Sequence, residues 1–358
     1  MSVSDSKGDG IPAAKKPPVE TSGGLVPWLI QQRVALVFSS YRDGHIYFLG
    51  TQSDGTAVFS RAQFPGAMGL AAFPQRIYLA SQMQIWRLEN ILKPGELAND
   101  RFDRVYVPRN AQITGALDAH EIGVEANGRI IFANTKYSCL ATPSMTHAFK
   151  PVWQPRFIST LAPEDRCHLN GLGMEDGRAR YVTACATTDI IDGWREHRAD
   201  GGVLIDISTD RIVCEGLSMP HSPRVHGGAV WLLNSGTGYL CRVDPSSGKC
   251  ENVAFCPGFL RGLAMVDHYA VAGLSLPRYG RLKGLALEGE MAKRGAVPWC
   301  GILVIDTRTG GIIQWARFTD EVEELFGVAA VPDVRCPRGV TPSIGDMQEA
   351  ITFEAVSA

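Results

Sequence analysis

A repeat of roughly fifty residues, in which short apolar runs alternate with turn clusters, restricts the fold of this chain more than any other feature. One unit reads "GLAAFPQRIYLASQMQIWRLEN" and continues to "DRVYVPRN"; the next reads "EIGVEANGRIIFANTKYSCLATP" and continues to "KPVWQPRFI". A third joins "NGLGMEDGRARYVTACATTD" to "GGVLIDISTDRIVCEGLSM", and a fourth runs from "MPHSPRVHGGAVWLLNSGTGYL" to "KCENVAFCP". The fifth pairs "RGLAMVDHYAVAGLSLPR" with "CGILVIDTRTGGIIQWARFT". Each unit has the same order: a short glycine-containing strand, a tight turn, a second apolar strand, then a hairpin. Asp, Pro, Ser and Gly supply the reversals in "VDPSSGKC" and "IDTRTGGI". Four antiparallel strands at this period are the pattern of a β-propeller blade, which cannot bury both faces alone and must join a ring.

The two ends of the chain supply the closure. "VALVFSS", "HIYFLGTQ" and "TAVFSRAQF" match the second, third and fourth strands of a blade that lacks its first. That strand recurs near the C-terminus as "ELFGVAAVPDV", which resembles "MGLAAFPQR". Joining them makes a sixth blade and removes two free sheet edges. The expectation is therefore an all-β, six-bladed propeller over residues 27–342, with terminal strands sharing one blade. A seventh blade follows if "RCPRGVTPSIGDMQEAITFEAV" forms further strands. Residues 1–26 read as a disordered polar tail and 343–358 as a C-terminal extension. The insertion "LPRYGRLKGLALEGEMAKRGAVPW" reads as a loop or short helix over one face, and "TDEVEELFGV" as a turn or two of helix before the closing strand. Trp86, Trp153, Trp231 and Trp315 fall in strands and read as packing between blades.

Composition narrows the function classes. With 358 residues, 45% hydrophobic and 20% charged, the chain has ample core, and its net charge of -2 gives no basic stripe for nucleic acid. No apolar run is long enough to cross a bilayer, and the N-terminus lacks the apolar stretch of a secretory signal. The nine cysteines are odd in number and form no CxxC pair, so they read as small buried hydrophobes of a cytoplasmic protein. Cys167 stands apart because it adjoins His168.

Aligning the repeats on the start of the first strand gives Gly69, Gly123, Gly171, Arg224, Gly262 and Gly327. Three positions earlier lie Gly66, His120, His168, His221, Phe259 and Glu324. Since the first strand of each blade lines the channel, three successive imidazoles are expected at one mouth. Neutral imidazole is a common transition-metal ligand, so His120, His168 and His221 are candidate ligands for Zn, Fe, Mn or Cu. Glu121 is the candidate general base, with Asn170, Ser222, Arg224 and Arg261 placed to position a small polar or anionic substrate. A metal-dependent lyase, epimerase, hydrolase or oxygenase fits this set. A non-catalytic propeller that binds a peptide, glycan or protein partner fits the fold equally well, because histidines at strand entrances also simply tie loops. Ser222 lacks the G-x-S-x-G elbow of a serine hydrolase, and "GLGMEDG" precedes a strand instead of a helix, which excludes a Rossmann phosphate turn.

The segments "CHLNGLGMEDGRARYVTA", "MPHSPRVHGGAVWLLNSGTG", "RGLAMVDHYAVAGLS" and the closing "ELFGV" resemble a bacterial family of conserved hypothetical proteins. The likeness covers nearly everything across residues 27–334. It implies a propeller found alone or beside tetratricopeptide-repeat regions, and no established activity. The small residues of "VHGG" after Arg224 depart from the more hydrophilic turn expected there.

Overall fold

The strand Val34–Ser40 explains why the sheets must close on one another. Its side chains alternate, and both faces are buried. Val34, Leu36 and Phe38 enter one apolar cluster, while Ala35 and Val37 enter the next. The pattern recurs around the molecule: Val203 and Ile205 face one cluster and Leu204 another, and Ile302 and Val304 oppose Leu303 and Ile305. A strand buried on both faces reads as a continuous apolar run, which is what the repeats contain.

The computed structural model describes residues 19–277, 282–318 and 322–354. Among these residues the strands form six sheets, each built on four antiparallel strands in the order of a blade. The innermost strands are Leu70–Phe73, Ala119–Val124, Leu169–Glu175, Pro220–His226, Phe259–Val266 and Val328–Pro332. Each touches the next, and the last touches the first, so the ring is closed. We number the blades 1 to 6, blade 1 being the one that combines Val328–Pro332 with the N-terminal strands Val34–Ser40, His45–Thr51 and Ala57–Gln63. Six interfaces carry six apolar clusters. Trp86 packs between blades 1 and 2, Trp153 between blades 3 and 4, and Trp231 and Trp315 between blades 5 and 6.

A row of hydroxyls ties neighbouring blades near the channel. Ser39 donates to the carbonyl of Met68, Thr135 to Leu169 at 2.5 Å, Ser235 to Leu260 at 2.7 Å and Ser275 to Leu325 at 3.1 Å. Each joins the second strand of one blade to the entry of the next inner strand. Close approach there also demands glycine. A Cβ on Gly171 would lie 2.4 Å from Pro223 Cδ, and Gly262, at φ +75, would meet the Phe326 carbonyl at 2.6 Å.

Several boundaries differ from the sequence expectation. Val19–Thr21 lies within the segment read as tail, yet it pairs with Cys300–Asp306's neighbour Gly311–Phe318 as a fifth strand of blade 6. The helix Leu25–Gln32 follows, burying Leu25, Trp28 and Leu29; residues 1–18 of the expected tail lie outside the described residues. The segment that offered a seventh blade instead gives Pro337–Gly339, a parallel fifth strand on blade 2. The short helix Ile344–Gln348 ends the described fold, capped by Ser343. Of the segment read as a helical turn, residues 319–321 lie outside the described residues, and 322–327 form no regular element; Phe326 and Gly327 hydrogen-bond with Ser39 instead. The insertion after blade 6's second strand forms the helix Ala286–Lys293, whose Leu287 is buried and donates its N–H to the Gly236 carbonyl. No helix among the described residues is long and apolar enough to cross a membrane.

Candidate functional site at the channel mouth

The entries to the inner strands are irregular by construction. Register shifts fall between Leu169 and Gly171, between His221 and Arg224, and between Arg261 and Leu263. Ser222 and Gly262, within two of these bulges, have positive φ, as do Asp118, Asp165, His168 and Met219 just ahead of them. A bulge re-aims the side chains around it, and backbone held in the left-handed region is a common feature of binding sites.

Beneath these loops opens a cavity of about 790 Å³. His120, His168, Phe259 and Glu324, which share the register, line it, together with Arg261, expected there as a neighbouring polar group. The rings of His120 and His168 stand 5.0 Å apart, edge to face. Arg261 donates to Glu324 Oε1 at 3.0 Å, and its guanidinium lies 4.7 Å from the Phe326 ring and 5.5 Å from Phe259.

Each imidazole is oriented through Nδ1, but by different partners. Nδ1 of His120 lies 2.8 Å from the Asp118 carbonyl, and Nδ1 of His221 lies 2.8 Å from the Met219 carbonyl. A carbonyl only accepts, so Nδ1 carries the proton in both rings. The Thr135 and Ser235 hydroxyls, already donating to the next blade, sit beside the same nitrogens. In these two blades the imidazole and the blade tie are one network. His168 departs from this pattern: its Nδ1 faces the Asp165 carboxylate at 2.8 Å. Asp165 also accepts from Trp194 Nε1 at 2.9 Å, and the Trp194 ring stacks on His168 at 4.1 Å. Burial pushes Asp165 up to about 7, against the Trp194 hydrogen bond.

The remaining predicted residues do not line this cavity. His221 is enclosed, and its buried Nε2 has no hydrogen-bond partner among the described residues. Burial first, then the charge of Arg261, holds its pKa well below the usual imidazole value. Glu121 is buried and paired with Arg224 across the channel. Burial raises the Glu121 pKa, opposed by the Arg224 charge. Arg224 also donates to the carbonyls of Pro223 and Leu172. Ser222 accepts from the Gly262 N–H. Asn170 is held inside blade 4, accepting from Thr183 at 2.7 Å and donating to Cys185 Sγ. Cys167 is fully buried, and burial pushes its thiol up to about 12, so the residue beside His168 is an inert core thiol. Among the described residues no three His, Cys, Asp or Glu side chains are grouped to hold a metal ion.

Sequence reasoning missed the groups that complete the cavity. Asp165, three residues before His168, carried a local signal in "DRCH". Trp194, Arg195 and Arg198 had none, since they arrive on the 3-10 helix Gly193–His197 and its end, within a loop between strands. Arg195 lies over the Trp194 ring at 4.6 Å and pairs with exposed Asp192.

Comparison with other proteins agrees with the fold. A solved structure described as "Crystal structure of Nidogen/Laminin Complex" superimposes with a TM-score of 0.54, covering 84% of this chain and 99% of that one. At 12% identity the likeness is one of fold alone. No curated protein matches the chain in sequence. A family model matches residues 23–340, nearly the whole propeller, and the chain thus belongs to the family described as "Domain of unknown function (DUF4915)".

Proposed function

We propose that this propeller binds a small anionic organic ligand in its mouth cavity. The observation that carries the reading is the charge arrangement around an aromatic wall. The deep carboxylates are engaged, Glu324 by Arg261 and Asp165 by His168 and Trp194. The exposed Arg195 and Arg198 line the same cavity as Trp194, Phe259 and Phe326, with Arg195 over the Trp194 ring; exposed Asp118 is the remaining acid of the lining. Arginine grips carboxylate or phosphate through paired N–H groups, and a cavity of this volume encloses a ligand of drug-like size. The Arg261 cation beside the imidazoles suits an anion better than a divalent metal ion.

Thermal shift and calorimetry with benzoate, phenyl phosphate and neutral benzamide test the reading on full-length protein purified without a histidine tag. The anions bind and benzamide does not. Replacing Arg195 and Arg198 together by Ala weakens anion binding about tenfold or more, the loss of one charge-assisted contact or two. Equal binding of benzamide, unchanged affinity in the double variant, or stoichiometric metal by elemental analysis would each overturn it.

A further inference from the structure

The three register-matched histidines are not equivalent, and the difference is chemical. His120 and His221 are oriented by backbone carbonyls, which fix a ring without stabilising a positive charge on it. In the hydrogen bonds among the described residues, His168 differs from the other two in being oriented by a carboxylate. That carboxylate is itself fixed by the Trp194 N–H, and the imidazole is clamped flat against the Trp194 ring. Both members also adopt left-handed backbone, Asp165 at φ 44 and His168 at φ 51. Such backbone is uncommon outside glycine, and the surrounding fold must hold it. Both residues of the pair are thus fixed in turns that deliver one oriented ring to the wall of the cavity that Arg261 also lines.

We propose that His168 and Asp165 form a proton-transfer dyad acting on the ligand of the mouth cavity, so that the protein is a general-base enzyme. The proposal rests on the anion-binding reading above. In the step, the X–H bond of an anionic organic acid breaks, where X is a hydroxyl oxygen or a carbon beside a carboxylate. The proton passes to Nε2 of His168 and the electron pair stays on X. Asp165, ionised as pH rises past about 7, accepts from Nδ1 and balances the imidazolium, and the Arg261 guanidinium, which lines the same cavity, is available to the negative charge left on the ligand. No oxidant or reductant is consumed, and return of the proton to either face regenerates the ring. His168 is the catalytic residue; Asp165 is a positioning residue that selects the tautomer with a lone pair on Nε2.

The dyad can be tested before its substrate is known. Diethyl pyrocarbonate acylates an imidazole nitrogen that carries a lone pair, releasing ethanol and carbon dioxide, and peptide mapping reads each histidine separately. In the full chain His168 reacts faster than exposed His147 and His197, although it is far less accessible. Asp165→Asn slows His168 on the order of tenfold, because an amide favours the opposite tautomer, and leaves His147 unchanged. The ¹⁵N shifts of the unmodified protein give a second reading that needs no variant: Nδ1 protonated and Nε2 bare at His168. Overturning results are a His168 rate at or below that of His147, a rate indifferent to Asp165→Asn in a variant of native Tm, or the Nε2–H tautomer. Slow labelling with anion binding intact removes the dyad alone. Fast labelling without anion binding removes the ligand reading instead.

Discussion

Two charged clusters stand close to the axis, one bordering the cavity and one outside its lining, and each contains an Arg–Glu pair. His120 and Glu121 are neighbours on one inner strand, so their side chains leave on opposite sides. His120 reaches the cavity and meets His168. Glu121 turns away and pairs with Arg224 from blade 5. Arg261 and Glu324 make a second Arg–Glu pair, more deeply buried than the first (side chains 7% and 3% exposed against 23% for Arg224 and 7% for Glu121), that does border the cavity. The contrast teaches that burial and pairing do not separate structural charges from functional ones. Access to an enclosed volume does, together with aromatic surface around it. The sealed pair ties blades 3 and 5 across the axis; the open pair presents a guanidinium to whatever enters.

Perturbing the sealed cluster should therefore cost stability, and perturbing the open one should cost binding. The largest effect is expected for Glu121→Ala. It removes the carboxylate partner of Arg224, leaving that guanidinium the Pro223 and Leu172 carbonyls, and denaturant unfolding should report a loss of about 3 kcal/mol. A smaller effect comes from the enclosed His221. Its depressed pKa means that the unfolded chain takes up a proton below about 6.5 that the folded chain refuses. Stability should fall as pH drops below that value, by up to about 1.4 kcal/mol per pH unit from this group, and His221→Gln should flatten that slope. Asp165 opposes it from the other side: its raised pKa keeps a proton on the folded chain, so its contribution is lost as pH climbs toward about 7. Least affected is the stability of the Arg195/Arg198 double variant, whose Tm should match the parent although its anion affinity falls. A double variant that unfolds, or a Glu121→Ala protein of native stability, would erase the distinction between the clusters.

The ring was legible because short apolar runs and turn chemistry repeat at a fixed period. Strands buried on both faces, such as Val34–Ser40 and Cys300–Asp306, declare themselves as apolar runs, and the displaced strand of blade 1 could be matched by its "FGVAAVP". Register placed His120, His168, Phe259 and Glu324 at one mouth, because equivalent positions on a closed ring converge, and Arg261 came in as a neighbour of that register. It could not tell which neighbours turn inward. The bulge at His221–Arg224 sends Arg224 toward Glu121, and Asn170 is spent on Thr183; neither event leaves a mark in spacing. Trp194 and the rim arginines come from a loop outside the repeat, where alignment has nothing to align. The edge strand Val19–Thr21 was hidden by its polar surroundings, since it pairs through backbone and buries little.

Histidine Cε1–H signals, followed by NMR as benzoate is added to the full-length protein, test most directly whether the mouth cavity is the ligand site. The account predicts that the His120 and His168 signals move together and saturate, while those of His147, His226 and His268 stay in place. Movement confined to the latter three, or saturable binding that leaves His120 and His168 unmoved, would contradict it.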